Sequence, residues 1–156
     1  IGASEYIRVI HDLIKGDVPE LDLDYEQKNQ EAVLELIKSG LVKSCHDLAE
    51  GGLGIALAEC CIMDRENQIG CRIDVGMDLR PDTFLFSESQ SRFIISIDPK
   101  NNDTVEKRLK AAGIDYSFIG HVQGRKLVIN DLIDLELPEL DDKWYGSISR
   151  LMEQQV

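Results

Sequence analysis

The chain has 156 residues, 43% hydrophobic and 29% charged, a balance that suits one soluble globular domain and excludes disordered and fibrous classes. Its 17 Lys and Arg stand against 29 Asp and Glu, a net charge of -12 that repels a phosphate polymer, so nucleic acid is excluded as a partner. The apolar runs fall far short of the roughly 20 residues a spanning helix needs, and no charged-then-apolar leader opens the chain, which points away from a membrane and toward the cytoplasm.

Residues 6 to 14 place Tyr6, Ile7, Ile10 and Ile14 at helical spacing, and Gly16 and Pro19 then break the pattern. A second helix is announced by Asp24 as N-cap with Gln27 three residues on; Val33, Leu36 and Ile37 form its stripe, and Gly40 stands where a left-handed cap is needed. Residues 41 to 45 read as a short buried strand, followed by the glycines Gly51 and Gly52 and a helix over 53 to 63. A strand over 69 to 75 comes next, then an irregular segment over 81 to 90. Residues 93 to 97 are apolar enough for a central strand covered on both faces. Asn102 or Asp103 caps a helix carrying Val105, Leu109 and Ala112 and ended by Gly113. Residues 116 to 121 and 126 to 130 read as paired strands around Gln123 and Gly124. Beyond Pro138, the spacing of Trp144, Ile148, Leu151 and Met152 predicts a terminal helix folding back on the body.

Helices alternating with strands predict an α/β layered domain, with helices packed on a mixed β-sheet. No repeat or low-complexity linker divides the chain. A single domain over 1–156 is expected, with leading helices over 1–40, a sheet-and-helix body over 41–130 and a helical tail over 131–156. The chain opens at Ile1, without an initiator Met and directly ahead of a helical pattern, as expected of a piece of a longer polypeptide.

Four cysteines, Cys45, Cys60, Cys61 and Cys71, show no C-x-x-C pair and no histidines at finger spacing. They read as reduced core residues, and no metal site is expected. His11, His46 and His121 are scattered, without a nucleophile-and-base spacing. The glycines at 51, 52 and 54 match neither the phosphate-loop nor the dinucleotide template. No catalytic triad can be argued from these histidines.

Two segments carry chemistry. In the first, residues 44 to 53, Gly51 and Gly52 join a strand end to a helix start. Such a turn brings backbone N–H groups close to a ligand, and the first turn of a helix accepts an anion. The acidic neighbours Asp47 and Glu50 would suit a phosphate only beside Mg²⁺ or another positive group. The plain alternative is a tight turn capped by Asp47, with His46 hydrogen-bonded in the core, and the residues by themselves favour it. In the second segment, residues 84 to 93, Ser87, Glu88, Ser89, Gln90, Ser91 and Arg92 are packed between apolar residues. Such groups need partners, either a polar ligand or an internal network in which Glu88 pairs with Arg92. Composition does not separate those two.

These segments, His46-Asp47-Leu48-Ala49-Glu50-Gly51-Gly52-Leu53 and Leu85-Phe86-Ser87-Glu88-Ser89-Gln90-Ser91-Arg92-Phe93, closely resemble the C-terminal domain of the aminoimidazole ribonucleotide synthetase superfamily. The opening Gly2-Ala3-Ser4-Glu5-Tyr6, the Pro19-Glu20-Leu21-Asp22 segment and the Ser-Gln after Phe-Ser-Glu look like its phosphoribosylformylglycinamidine synthase subunit II (PurL) branch. The resemblance fades after about Asn130, and the Ser-Glu-Tyr opening is more similar to the second of that family's two C-domains. It departs from the usual pattern at Cys45 and Ala49, where a small residue such as Ala and a Ser are common. The resemblance implies an ATP- and Mg²⁺-dependent ligase of purine biosynthesis that turns formylglycinamide ribonucleotide into its amidine with glutamine-derived ammonia. It further implies that the catalytic groups lie in an N-terminal portion of the polypeptide, and that the partners are a glutaminase subunit and a small accessory subunit. The positions it marks for substrate or nucleotide are Glu88, Ser89, Gln90, His46, Asp47, Gly51 and Gly52, and it implies an inactive isolated domain. Selenophosphate synthetase, thiamine-monophosphate kinase and the hydrogenase maturation protein HypE share the superfamily domain, which leaves a nucleotide-binding or structural module as the alternative.

Overall fold

The computed structural model describes residues 1 to 76 and 78 to 153. The chain forms two compact units, each discontinuous: one holds Ile1–Ala56 and 78 to 118, the other Leu57–Gly76 and 119 to 153.

The first unit opens with α1 (Glu5–His11). Ser4, only 3% exposed, caps it: its Oγ accepts the Ile7 N–H at 3.4 Å and donates to the Ile1 carbonyl at 2.7 Å. The predicted helix extends to Ile14, but Asp12 turns left-handed at φ 53° and closes α1 at His11. Ile10 and Ile14 are therefore left exposed. In α2 (Leu23–Lys38) the cap is Asp22 rather than Asp24, because Asp22 accepts the Tyr25 N–H at 3.0 Å. Asp24 falls inside the first turn, where the helix dipole favours its charge. Val33 and Leu36 are buried as expected, Ile37 faces out, and Asn29 takes the remaining buried place.

Gly40, at φ 69°, leads into β1 (Val42–Asp47), which extends through His46 and Asp47, is mostly exposed rather than buried, and pairs antiparallel with the strand Phe93–Ile97. Next comes α3 (Gly52–Ile62), then β2 (Cys71–Ile73) of the second unit. The stretch predicted as irregular contains α4 (Pro81–Phe86): Pro81 pre-sets the first helical turn, Asp82 sits in that turn, and Leu85 is buried. The strand Phe93–Ile97 is β3. It is not a covered central strand, since its sheet has two strands and all five residues are only half-buried. A 3-10 turn, Pro99–Asn101, feeds α5 (Asn102–Ala112), whose cap position is Asn101 and which Gly113 ends at φ 68°. The core of this unit gathers Leu36 of α2 and Val105 and Leu109 of α5 with Ile114, against Leu41, Ile95 and Ile97.

The second unit is a mixed four-stranded sheet of β2, β4 (Gly120–Val122), β5 (Lys126–Ile129) and β6 (Ile133–Glu136), in the order β4-β2-β5-β6. β4 and β5 do not pair with each other as predicted: β2 lies between them, antiparallel to β4 and parallel to β5. Gly120 permits this, because a Cβ there would lie 2.1 Å from the Arg72 carbonyl oxygen. β6 occupies part of the stretch expected to be helical, and α6 (Leu137–Glu153) follows it. Leu137 is fully buried, and Asp141 receives Gln68 Nε2 at 2.5 Å and Arg65 at 3.5 Å, while Arg65 also lies 4.5 Å over the Tyr145 ring. These ties hold the first half of α6. Trp144, Ile148, Leu151 and Met152 are exposed, so the predicted stripe is not buried against its own unit. No helix among the described residues is long and apolar enough to cross a membrane.

Candidate binding site at the glycine turn

Beyond Asp47, buried Leu48 donates its N–H to the Arg92 carbonyl at 3.0 Å, and the Gly52 N–H closes the turn on Ala49 O at 3.1 Å. Gly51 and Gly52 are both left-handed, at φ 78° and 62°. Space forbids a side chain at the second: a Cβ on Gly52 would lie 2.4 Å from Ser87 O and 2.9 Å from Leu85 O. The glycine thus lets the end of α4 lie directly on the turn.

Glu88 completes the junction. One of its oxygens, Oε1, accepts the Gly51 N–H at 2.8 Å and the Glu5 N–H at 3.0 Å. One carboxylate therefore links three stretches that the sequence singles out separately: the Ser4-Glu5-Tyr6 opening, the glycine turn and the Phe86–Gln90 region. Tyr6 stacks on Phe86 with centroids 4.9 Å apart and planes 6° from parallel, which adds an apolar contact to the same junction.

The loop after Glu88 is tied through Ser89, Ser91 and Arg92. Arg92 turns away from the predicted partner Glu88 and donates to the carbonyls of Ser87 at 2.5 Å and Ser89 at 3.0 Å. Its burial pulls the guanidinium below its ordinary pKa. Ser91 is left-handed at φ 61°; its carbonyl accepts Asn29 Nδ2 at 2.6 Å and its hydroxyl bonds the Glu26 carboxylate. Ser89 is half-buried and the Gln90 side chain is exposed.

His46 and Asp47 stand on β1, ahead of the turn, opposite Ile94 and Phe93. His46 Nδ1 lies 2.6 Å from the Asp47 carbonyl oxygen, whereas the Asp47 side chain is 66% exposed and does not cap the turn. The structure thus joins Glu88 to Gly51 directly, packs Gly52 on Ser87, and places His46 and Asp47 on the strand leading in. Sequence reasoning missed Glu26 and Asn29. Asn29 was detectable, as a polar residue four positions ahead of Val33 on the buried face of α2.

Both glycine N–H groups are engaged within the chain, so the turn as folded does not fit a phosphate cradled by those donors. Among the described residues, no group of three His, Cys, Asp or Glu side chains is placed to hold a metal ion. Two surface depressions, of about 450 and 590 Å³, lie around Tyr116 and between α2 and α5. Neither is lined by the motif residues.

Helices packed on sheets, with the glycine turn clasped by the Phe-Ser-Glu segment, define an α/β domain. The family model described as AIR synthase related protein, C-terminal domain, matches residues 1–131, and the chain belongs to that family. Its relatives include the phosphoribosylformylglycinamidine synthase subunit PurL of Alkaliphilus metalliredigens, 43% identical over 98% of this chain and 21% of the relative. The subunit of the same name from Moorella thermoacetica is 40% identical over 97% of this chain. The chain thus spans about a fifth of the length of the curated relatives it matches. Among solved structures, Thermotoga maritima PurL complexed with FGAR matches with a TM-score of 0.70 at 21% identity, covering 83% of this chain and 23% of that one. The same protein complexed with ATP matches at 0.65 and 20% identity, over 90% of this chain and 24% of that one. These likenesses establish a shared fold.

Proposed function

We propose that the chain is a C-terminal domain, of the second-copy type, of a phosphoribosylformylglycinamidine synthase. The whole enzyme converts formylglycinamide ribonucleotide to its amidine, using ATP, Mg²⁺ and ammonia delivered by a glutaminase subunit alongside a small accessory subunit, in the cytoplasm. The observation that carries this is likeness along nearly the entire chain to subunits named PurL. The family resemblance assigns Mg²⁺ and the ATP-handling groups to polypeptide outside these residues, and no catalytic step is assigned to this chain.

What the domain contributes is a rigid wall. Gly51, Gly52 and Glu88 hold one another and so shape the wall rather than bind from it. Ser89 and Gln90 present the polar groups that would meet a substrate or nucleotide, and His46 and Asp47 present theirs from β1. Self-satisfaction of the turn also supports the alternative of a structural module, in which the motif serves folding alone.

The test is a transplant. Replacing the matching segment of the Alkaliphilus relative with this chain is expected to preserve ATP-dependent amidine formation with ammonia, while the isolated chain forms none. A folded chimera without activity, or turnover by the isolated chain, overturns the assignment. If the chimera keeps full activity when Ser89 and Gln90 are both changed to Ala, the structural module is the better reading.

A further inference from the structure

Cys61, near the C-terminal end of α3, and Cys71, the first residue of β2, lie in the interior of the second unit, 3% and 7% exposed. Their sulfurs are 3.7 Å apart, with the Cys61 thiol donating to Cys71 Sγ. Backbone fixes the approach: the Ile69 N–H donates back to the Cys61 carbonyl at 3.3 Å, and Gly70 is bonded on both sides to the 123–124 turn, at 2.8 and 2.9 Å. A Cβ on Gly70 would lie 2.2 Å from the Lys126 carbonyl oxygen, so the segment delivering Cys71 has little freedom to withdraw. Two core thiols merely filling space need no such alignment.

We propose that Cys61 and Cys71 are a disulfide modification site, closed by a hydroperoxide. The site is independent of the proposed ligase function. The shared hydrogen bond separates the two roles. Accepting it holds the Cys71 thiol below its ordinary pKa, while donating it, with burial added, raises that of Cys61. Cys71, as thiolate, attacks one peroxide oxygen. The O–O bond breaks, Cys71 becomes a sulfenic acid, and water or an alcohol departs with a proton. Cys61 sulfur then attacks Cys71 sulfur; the S–O bond breaks, and the hydroxyl leaves as water with the Cys61 proton. The two thiols lose two electrons and two protons, and the peroxide is reduced. Bond formation closes the 3.7 Å separation of the sulfurs to about 2.0 Å.

The half-buried neighbour Cys60 is the competing thiol, and its charge is felt at Cys71. The exposed Cys45 reports the oxidant dose. The test treats the folded protein with hydrogen peroxide, alkylates it under denaturing conditions with N-ethylmaleimide, digests it without reduction and sequences the linked peptides by mass spectrometry. The expected product joins Cys61 to Cys71, weighs two hydrogens less than the thiol pair, vanishes on dithiothreitol, and persists in Cys60→Ser. The oxidised protein is expected to melt at a higher temperature than the reduced one. Recovery of Cys61 and Cys71 both alkylated at doses that oxidise Cys45, or a link that requires Cys60, overturns the proposal. The first mapping is done on the unaltered protein, so that part of the test does not depend on a variant folding.

Discussion

Removing the Glu88 carboxylate tests the junction most directly. Its Oε1 accepts the Gly51 and Glu5 N–H groups at 2.8 and 3.0 Å, both of ordinary length for charge-assisted bonds. Hydrogen bonds to charged groups contribute about 1.5–3 kcal/mol each, and less where water reaches them. Glu88 is half-buried, so both together amount to roughly 2–4 kcal/mol. Glu88→Ala is expected to lose that much in urea unfolding followed by circular dichroism. For a chain of this length, such a loss corresponds to a fall in Tm of about 4–16 °C. Glu88→Gln keeps an acceptor oxygen in place and is expected to lose only about 1 kcal/mol. The contrast between the two separates the lost acceptor from the lost charge. If Glu88→Ala unfolds within about 0.5 kcal/mol of the parent, the scatter of neutral surface changes, the carboxylate does not hold the three stretches together.

Gly52→Ala places a methyl 2.4 Å from Ser87 O at φ 62°, and is expected to cost more than about 1 kcal/mol; a Tm equal to the parent's would show that the turn yields freely. Asp82 is held down to about 2 by its hydrogen bond to Arg80, with help from the Thr83 N–H. A carboxyl whose folded pKa is depressed contributes stability that is present above the unfolded value and lost as pH falls through the folded one. The α4 contribution is therefore expected intact near neutrality and lost between about pH 4 and pH 2; an Asp82 carboxyl carbon titrating by NMR near pH 4 would contradict it. Trp144 is the single tryptophan and is 50% exposed, so its fluorescence in the isolated chain is expected to be water-quenchable by iodide. Trp144→Gln is likewise expected to change stability by less than about 0.5 kcal/mol, and a shielded, blue-shifted emission would mean that the stripe is covered after all.

What the sequence made legible was whatever depends on neighbours in the chain. Gly40 and Gly113 end α2 and α5 at φ 69° and 68°, and Phe93–Ile97 is a strand, because caps and apolar runs are local signals. What it hid depends on partners far along the chain. β3 looks like a central strand from its own five residues, yet strand neighbours are chosen by topology, and among the described residues β1 alone pairs with it. The hairpin expected around Gly124 failed for the same reason: β2, about 50 residues earlier, inserts between the two strands. The helical spacing of Trp144, Ile148, Leu151 and Met152 was read correctly as helix, but periodicity cannot say what, if anything, lies against the stripe.

The polar residues of the candidate site illustrate the same limit from the side of chemistry. A serine-rich, acidic and amide-bearing run beside a strand invites a ligand only if its groups are otherwise unsatisfied. Here most of them answer one another over long sequence distances: Glu88 answers Glu5 and Gly51, Asn29 answers Ser91, and Arg92 answers two carbonyls of its own loop. Such a network fixes the backbone of the loop while leaving the Gln90 side chain exposed. A preorganised loop binds with less loss of conformational freedom than a mobile one. The residues whose types first suggested binding therefore divide into those that build the surface and those that face outward from it, and the proposed role in recognition rests on the second group, with Gln90 foremost.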